Sequence, residues 1–283
     1  MTNKNNSPAF FNGNYMTIDQ VAISPFDRGF LLGDSIYEVI PVYNGTMLGG
    51  EKHCQRLLHG LHAVGIESPY TLDGWQDVAA PVLLEGQAAQ LIYIQVTRGA
   101  EQVRKHRFPI AAPPTVLIFS IAFSPSVSEL YPGCAGHLQE DLRWQRCSLK
   151  STSLMGNVLA YQQLYSDGVA NDEALLVRND RVVEAPSSNL FMAKDGVIFT
   201  PPIDNILPGV TRALVIDIAE DLGINMREEA PSIELFKSAD EVWVTNSMEE
   251  LKPIISIDGR PVGEGVPGEI WRQLFESFQT LKG

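Results

Sequence analysis

The stretch that decides the fold lies near the middle of the chain and reads Arg146-Cys147-Ser148-Leu149-Lys150-Ser151-Thr152-Ser153-Leu154. Before it, residues 142–146 alternate as in a strand, and after it residues 154–164 carry apolar side chains at helical spacing. The serines and the threonine are helix N-cap residue types. We therefore expect Lys150 at a strand end beside a helix start, where a partly desolvated lysine loses its proton readily and can form a Schiff base. Taken alone, the same residues also fit a solvated lysine in a polar loop.

Composition describes an ordinary globular protein and limits its partners. The chain has 283 residues, of which 45% are hydrophobic and 19% charged, with a net charge of −13. It has no Lys/Arg cluster for nucleic acid, no signal peptide, and no apolar run near the ~18–20 residues of a membrane span. The few cysteines and histidines match no zinc or disulfide spacing. We expect a cytoplasmic protein with reduced cysteines, which binds no nucleic acid, membrane or metal.

The first part of the chain mixes hairpins with helices. Turn signals at Asn12-Gly13 and Asn44-Gly45 predict hairpins, the second after a strand from Ser35 to Tyr43. Amphipathic helices are predicted over 51–64 and 73–85, and strands over 91–97 and 115–121. This is an α+β arrangement. The polar stretch at 124–129 predicts a linker between a small N-terminal domain, 1–123, and a C-terminal domain, 130–283, that carries Lys150.

A lysine Schiff base is useful only with an electron sink, and pyridoxal 5'-phosphate is the usual one. Its phosphate needs an anion site, and Pro208-Gly209-Val210-Thr211-Arg212 stands directly before a predicted helix, where free N–H groups and a hydroxyl would meet it. Asn246 and Ser247 end a predicted strand and offer further donors. Arg56 offers a full positive charge. Each also has a plainer interpretation: Thr211 as an N-cap and Arg56 as a surface arginine.

The ring nitrogen of that cofactor needs a carboxylate, and a substrate carboxylate needs cations. Glu184 ends a predicted strand before a polar turn, although a solvated glutamate fits that position too. Arg104 and His106 stand at i and i+2 in a basic loop, so in extended backbone they point the same way. Tyr37 offers a phenol. A merely solvated basic loop remains an alternative for Arg104 and His106. Nucleotide-binding, metalloprotease and serine-hydrolase motifs are missing from the sequence.

Taken together, these residues resemble the signature of fold-type IV pyridoxal-phosphate enzymes. The resemblance runs over nearly the whole chain. It includes Glu184, Asn189, Thr200 and the run from Leu207 to Arg212. Within that family, the runs that look most like the D-amino-acid (D-alanine) aminotransferases are Asp27-Arg28-Gly29, Tyr37-Glu38-Val39, Gln95-Val96-Thr97-Arg98-Gly99 and Arg143-Trp144.

The resemblance implies a fold and a set of roles. The fold is a smaller N-terminal α/β domain and a larger C-terminal pseudo-barrel, with the cofactor between them. Lys150 matches the Schiff-base lysine and Glu184 the acid at the pyridine nitrogen. The residues that match the phosphate cup are Arg56, Val210, Thr211 and Ser247, beside Asn246. Those that match the group holding the substrate α-carboxylate are Tyr37, Arg104 and His106. In the D-specific branch the last two come from the neighbouring subunit, which implies a homodimer.

The sequence therefore predicts transamination between a D-amino acid and a 2-oxo acid, of the D-alanine/2-oxoglutarate type. The alternatives are an (R)-selective amine transaminase, an aminodeoxychorismate-lyase-type enzyme, and a cofactor-free binding protein on the same fold. Three departures from the family pattern bear on substrate range, and one of them is Pro41, which replaces a polar residue expected in a strand lining the site. Pro186 replaces a small residue near Glu184, and the basic loop is one residue longer than expected, so that Arg98 or Arg107 could stand in for Arg104.

Overall fold

The computed structural model describes residues 6–109, 112–124 and 132–283. The chain divides into two compact units. The first contains Met1–Ser124 and Leu149–Ser153, and the second contains Pro125–Ser148 and Leu154–Gly283. Residues 125–129 of the predicted linker lie outside the described residues, so the predicted domain limits stay a prediction. The segment that carries Lys150 is grouped with the first unit, which differs from its predicted place in the C-terminal domain.

The first unit is built on one antiparallel sheet with the strand order β2-β1-β6-β5-β3-β4. Its strands are β1 (Pro8–Phe11), β2 (Asn14–Thr17), β3 (Ser35–Tyr43), β4 (Thr46–Met47), β5 (Ala89–Thr97) and β6 (Thr115–Ala122). Both predicted hairpins are confirmed. Asn12 and Gly13 have φ of 46° and 89°, and Asn44 and Gly45 have φ of 49° and 82°. These left-handed values explain why asparagine and glycine occupy both turns.

In the described residues of this unit, three α-helices accompany the sheet: α1 (Arg28–Leu32), α2 (Gly50–Ala63) and α3 (Leu72–Ala79). The side chains of Leu57 and Leu61 on α2 share a buried cluster with Ile36 and Ile40 of β3. The helix predicted over 73–85 is shorter than expected. It ends at Ala79 and continues as a 3₁₀ turn, because Pro81 has no N–H for another α-helical hydrogen bond.

The second unit contains a closed ring of strands. Its strands are β7 (Cys134–Glu140), β8 (Glu173–Arg178), β9 (Arg181–Glu184), β10 (Asn189–Lys194), β11 (Val197–Thr200), β12 (Met226–Glu228), β13 (Glu241–Asn246), β14 (Glu250–Ile257) and β15 (Arg260–Pro261). Pairing runs β10-β13-β14-β7-β8-β9 and returns to β10 where Asn189 faces Glu184. The predicted pseudo-barrel is therefore confirmed, and Glu184 lies at its closing pair.

Four helices belong to the described part of this unit: α4 (Met155–Ser166), α5 (Val210–Asp221), α6 (Ile233–Lys237) and α7 (Glu269–Thr280). The prediction that Ser151, Thr152 or Ser153 caps α4 is wrong. The cap residue is Leu154, which has no side-chain cap. The strand predicted over 142–146 is also absent, because the Asp141 carboxylate accepts from the Arg143 backbone N–H and turns the chain after β7.

Large aromatic side chains fill the interior of the second unit. Phe191 and Trp243 stack with ring centroids 5.6 Å apart, and Trp271 stacks on Phe275. All four are almost completely buried. Among the helices of the described residues, none has both the length and the apolar composition needed to cross a membrane.

Candidate active site

The segment that carries Lys150 is attached to the start of β3 by backbone hydrogen bonds and one isolated bridge. The N–H of Tyr37 donates to the carbonyl of Lys150 at 2.9 Å. The N–H of Thr152 donates to the carbonyl of Ser35 at 3.3 Å. Ser151 pairs with Ile36 as an antiparallel bridge. The hydroxyls of Ser35 and Thr152 also form a hydrogen bond. The hydroxyl residues after Lys150 thus anchor the segment to β3, which explains why they do not cap α4.

The amine of Lys150 lies over an aromatic ring. Its Nζ is 4.4 Å from the ring centroid of Tyr37, a cation–π distance. Tyr37 in turn stacks on Tyr93 with centroids 5.8 Å apart. Burial and the nearby Glu38 carboxylate raise the pKa of Tyr37, so its phenol stays protonated at neutral pH. The structure therefore brings together Lys150 and Tyr37, two of the predicted site residues.

Arg56 occupies a buried ion cluster on the other face of β3. Its guanidinium donates to both oxygens of Glu38, at 2.7 and 2.8 Å, and His53 Nδ1 lies 2.8 Å from the same carboxylate. Burial alone would raise the pKa of Glu38, but Arg56 and His53 outweigh burial and hold that pKa well below its usual range. Period-two alternation places Glu38 and Tyr37 on opposite faces of the strand. The predicted role of Arg56 at the phosphate stays a prediction.

Arg104 and His106 are both exposed in the loop between β5 and β6. Arg98, the alternative to Arg104 considered above, is buried. It donates to Asp34 and to the carbonyls of Val64 and Gly65. Because those contacts occupy its guanidinium, Arg98 is not the counterpart of Arg104. The expected role of Arg104 and His106 toward a neighbouring subunit stays a prediction.

Glu184 is buried in the second unit, and its two carboxylate oxygens have different partners. Oε2 accepts from the N–H of Leu207 at 3.2 Å and from Asn189 Nδ2 at 3.4 Å. Oε1 lies 2.8 Å from Nη1 of Arg143, but no donor of the described residues points at it, so this contact is an ion pair without a hydrogen bond. Burial raises the pKa of Glu184 to about 7 although the Arg143 charge opposes the shift.

Asn189 connects Glu184 to the start of α5. Its Nδ2 also donates to the carbonyl of Leu207 at 2.8 Å. A Cβ on Gly209 would collide with the Asn189 side chain, so only glycine fits there. Gly209 is the N-cap of α5 and offers no side chain to the first-turn N–H groups, and Val210 and Thr211 follow it, both buried. Asn189 thus connects Glu184 to the segment that leads into Val210 and Thr211.

The side chain of Asn246 organises a turn. Its Oδ1 accepts from the N–H groups of Met248 and Glu249 at 2.8 and 2.7 Å, and its Nδ2 donates to Ser188 at 2.9 Å. Ser247 lies inside this turn and is half-buried. Asn246 is therefore engaged within the protein, and its predicted contact with the phosphate stays a prediction, as does that of Ser247.

Sequence reasoning missed the partners of the predicted residues. Arg143 is the cation beside Glu184, and its Nε and Nη2 each donate to Asp141 at 2.9 Å. Glu38 and His53 are the partners of Arg56. One signal was present in the sequence for Glu38: it falls between Ile36 and Ile40 on the apolar face of β3, where a charge must be paired. Asp141 and Arg143 offered no comparable signal, because they come from an irregular segment.

The residues of the second unit fit pyridoxal 5'-phosphate. A buried carboxylate oxygen that accepts no hydrogen bond is what a protonated pyridine nitrogen requires. A helix N-terminus with a glycine cap is what a phosphate requires. These two features support the cofactor predicted from Lys150 and Glu184.

Comparisons with known proteins agree with this geometry. The amino-transferase class IV family matches residues 35–257. A D-alanine aminotransferase of Staphylococcus aureus (strain COL) is 38% identical over 273 residues, which cover 95% of this chain and 96% of that protein. A D-alanine aminotransferase of Bacillus licheniformis is 32% identical over 281 residues, covering 95% of each.

Solved structures share the fold. The branched-chain amino acid aminotransferase of Escherichia coli aligns with a TM-score of 0.89 at 24% identity, covering 97% of this chain and 94% of that chain. The T.th. branched-chain enzyme with pyridoxamine 5'-phosphate aligns with a TM-score of 0.91 at 22% identity, covering 98% and 94%. The chain therefore belongs to the class IV aminotransferase family. The predicted fold-type IV architecture, aminotransferase activity and pyridoxal-phosphate cofactor are confirmed.

The raised pKa of Glu184 predicts a pH dependence of stability before cofactor is added. Between its usual pKa near 4.5 and about 7, the folded protein keeps a proton that the unfolded chain loses, so the wild-type free energy of unfolding falls as pH rises. Glu184→Gln has no such proton. We expect its stability relative to wild type to increase by on the order of 2 kcal/mol from pH 5 to pH 8.

Urea denaturation of the cofactor-free proteins measures this difference. Glu220→Gln, at an exposed glutamate of α5, is the matched control and should follow the wild-type curve at every pH. Parallel curves for wild type and Glu184→Gln would contradict the raised pKa.

Proposed function

We propose that this protein is a D-amino-acid aminotransferase, which moves the amino group of a D-amino acid such as D-alanine to a 2-oxo acid such as 2-oxoglutarate. The proposal is supported by relatives that are D-alanine aminotransferases at 32–38% identity over nearly the full chain. The structural observation that carries it is the attachment of the Lys150 segment to β3, which brings the lysine amine to the ring of Tyr37.

The cofactor roles follow from the chemistry of each residue. Pyridoxal 5'-phosphate, when bound, supplies an electron sink for the bond that breaks at the substrate α-carbon. The Lys150 amine would hold this group. The Glu184 carboxylate would accept a hydrogen bond from the ring nitrogen of the cofactor and favour its protonated form. The groups assigned to the phosphate are the N-terminus of α5 with Val210 and Thr211, then Arg56, Asn246 and Ser247.

Lys150 has a second task once the substrate amine has taken its place. Its amine would accept the proton of the substrate α-carbon and then donate it, acting as general base and then as general acid. The short backbone bonds to β3 fix the lysine backbone, so only the flexible side chain moves. The ring of Tyr37 guides the amine as a neutral aromatic surface, because its raised pKa keeps the phenol uncharged.

The substrate α-carboxylate is assigned to Tyr37, Arg104 and His106. A guanidinium binds a carboxylate in a bidentate manner, and a phenol and an imidazole each add a hydrogen bond. This group separates the proposal from an amine transaminase, which needs no such clamp. The exposure of Arg104 and His106 within one chain is consistent with a loop that completes the site of a second copy.

A homodimer also has a surface to form on. Met155, Val158 and Leu159 follow one face of α4 and are exposed by 69%, 57% and 52%. Leu164 is buried on the opposite side of the helix, so α4 uses one face for the core and leaves the other apolar face uncovered. Apolar surface of this kind is typical of protein–protein interfaces. A second copy of the chain is the partner that the proposed site requires.

Replacing Lys150 should abolish transamination and leave the fold intact. We expect Lys150→Ala to lower the rate of transamination between D-alanine and 2-oxoglutarate by at least about a thousandfold, since both covalent attachment and proton transfer lose their amine. Lys150→Arg keeps the charge but not the nucleophile and should be equally inactive. Far-ultraviolet circular dichroism checks that both variants fold. Substantial turnover by either would refute the role of Lys150.

Substrate preference tests the carboxylate clamp. The half-reaction with D-alanine should proceed faster than those with L-leucine and (R)-1-phenylethylamine, as followed by bleaching of the bound chromophore. Arg104→Ala should raise KM for D-alanine by about tenfold or more through loss of a charged hydrogen-bond donor, whereas Arg107→Ala is the control and should not. Faster reaction with the amine than with D-alanine would favour the amine transaminase, and an effect of Arg107→Ala alone would move the clamp to Arg107.

The uncovered face of α4 predicts how the dimer is broken. Leu159→Asp places a charge at the centre of that face and should shift the protein toward monomer at micromolar concentration. Leu222→Asp makes the same chemical change at another exposed leucine of the second unit, 46% exposed, and should leave the dimer intact. Sedimentation equilibrium distinguishes the two states. A wild-type monomer, or a dimer insensitive to Leu159→Asp, would contradict this assignment.

A further inference from the structure

The basic loop, residues 99–108, wraps around one buried guanidinium. Arg28 Nη1 donates to the backbone carbonyls of Lys105 at 2.6 Å and Arg107 at 3.2 Å, and its Nη2 donates to that of His106 at 3.4 Å. The carboxylate of Glu101 lies 3.6 Å from the same Nη1. A single side chain, only 5% exposed, therefore contacts both halves of a loop whose own side chains are mostly exposed.

The backbone around Arg28 holds the beginning of the same loop. The N–H of Arg28 donates to the carbonyl of Gly99 at 2.9 Å, and Asp27 pairs with Ala100 as an antiparallel bridge. The Asp27 carboxylate accepts from Thr97 Oγ1 at 2.9 Å. Residues 27 and 28 thus fix the loop where it leaves β5, while the Arg28 side chain fixes it again at residues 105–107.

A second ion pair sets the direction of the Arg28 side chain. Arg28 Nε donates to Asp34 Oδ2 at 2.8 Å, and Arg98 donates to both oxygens of Asp34 from the other side. The two arginines hold the pKa of Asp34 below its usual range although burial opposes the shift. Because Nε is bound to Asp34, the two Nη groups of Arg28 are directed at the loop carbonyls.

Only arginine can make this set of contacts. Its planar fork presents several N–H donors at fixed angles, whereas a lysine ammonium is a compact charge that cannot reach Asp34 and the carbonyls of residues 105–107 together. Burying such a charge costs free energy that a stable fold alone does not require. The contacts instead specify one conformation for the two residues, Arg104 and His106, that the proposed function uses.

We propose that Arg28 is a positioning residue for the substrate-carboxylate group. It acts by holding the backbone of residues 105–107, so that Arg104 and His106 are presented in one geometry, and it does not itself touch the substrate. This inference rests on the proposed function. Its consequence is specific: loosening Arg28 weakens the binding of carboxylate substrates and leaves the cofactor lysine unaffected.

The first test measures how accessible the loop is to a protease and does not depend on enzyme activity. Arg104, Lys105 and Arg107 are trypsin cleavage sites that are exposed within one chain. Arg28→Lys should raise the rate of cleavage after these residues by about tenfold, because the loop opens locally once its carbonyl bonds are lost. Arg98→Lys is the comparison variant: it changes the other arginine on Asp34, which binds Val64 and Gly65 and lies over the ring of Phe108 but donates to no carbonyl of residues 105–107, and it should change the rate less than about threefold.

The second test compares the effect of the substitution on KM with its effect on kcat. Arg28→Lys should raise KM for D-alanine by about tenfold while kcat at saturation falls less than about threefold, since chemistry at Lys150 is unchanged. The KM for (R)-1-phenylethylamine, which has no carboxylate, should not change. Glu101→Gln, at a partly exposed position on the loop, should give smaller changes in the same direction and serves if Arg28→Lys does not fold.

The outcomes distinguish a failure of the positioning role of Arg28 from a failure of the proposed aminotransferase function. If wild type does not use D-alanine, or if neither Arg104→Ala nor Arg107→Ala raises KM for D-alanine, the proposed function fails. If both hold, but Arg28→Lys or Glu101→Gln changes neither loop cleavage nor KM for D-alanine, the positioning role is overturned. Equal losses of kcat with D-alanine and with the amine would also overturn it, because that pattern indicates general damage to the site.

Discussion

Pairing of backbone groups between residues 150–152 and the start of β3 is the constraint on which the rest of the site depends. A lysine side chain is long and flexible, and fixing it costs entropy unless its backbone is already fixed. Here the bond from Tyr37 N–H to the Lys150 carbonyl and the bridge between Ile36 and Ser151 define where the side chain begins. The same strand then supplies Tyr37 beneath the amine. One short piece of sheet therefore determines both the position and the aromatic neighbour of the reactive group.

The second unit buries a carboxylate, that of Glu184, away from water. Glu184 lies at the pair that closes the strand ring, and Asn189 opposite it ties the carboxylate to the segment before α5. Burial raises the pKa of Glu184, the nearby Asp141 charge raises it further, and Arg143 limits the rise. Its second oxygen is left without a donor among the described residues, at an energetic cost that a ligand N–H can remove. Closure of the barrel and preparation for the cofactor depend on the same residues.

Much of this was predictable from the sequence, for local reasons. The Asn-Gly turns determined both hairpins of the first sheet because only residues that tolerate positive φ fit them. The alternation from Ser35 to Tyr43 defined the limits of β3, and Gly209 before an apolar helix marked the start of α5. The hydroxyl residues after Lys150 were wrongly predicted as helix caps because their hydrogen-bond partners are remote in sequence. Thr152 bonds to Ser35, and Ser153 bonds to Gly33. The ion-pair partners of Arg56, Glu184 and Arg28 could not be predicted from the sequence for the same reason, because ion pairs between distant segments leave no periodic pattern.

The identity of the amine that bonds to the cofactor is the point on which the proposed chemistry depends most directly. Reduction of the holoenzyme with borohydride makes the imine bond permanent, and peptide mass mapping then locates the phosphopyridoxyl group. We expect a single label on the peptide that contains Lys150, and loss of that label in Lys150→Ala. A label on another lysine, or no stable label on wild-type enzyme saturated with pyridoxal 5'-phosphate, would contradict the assignment.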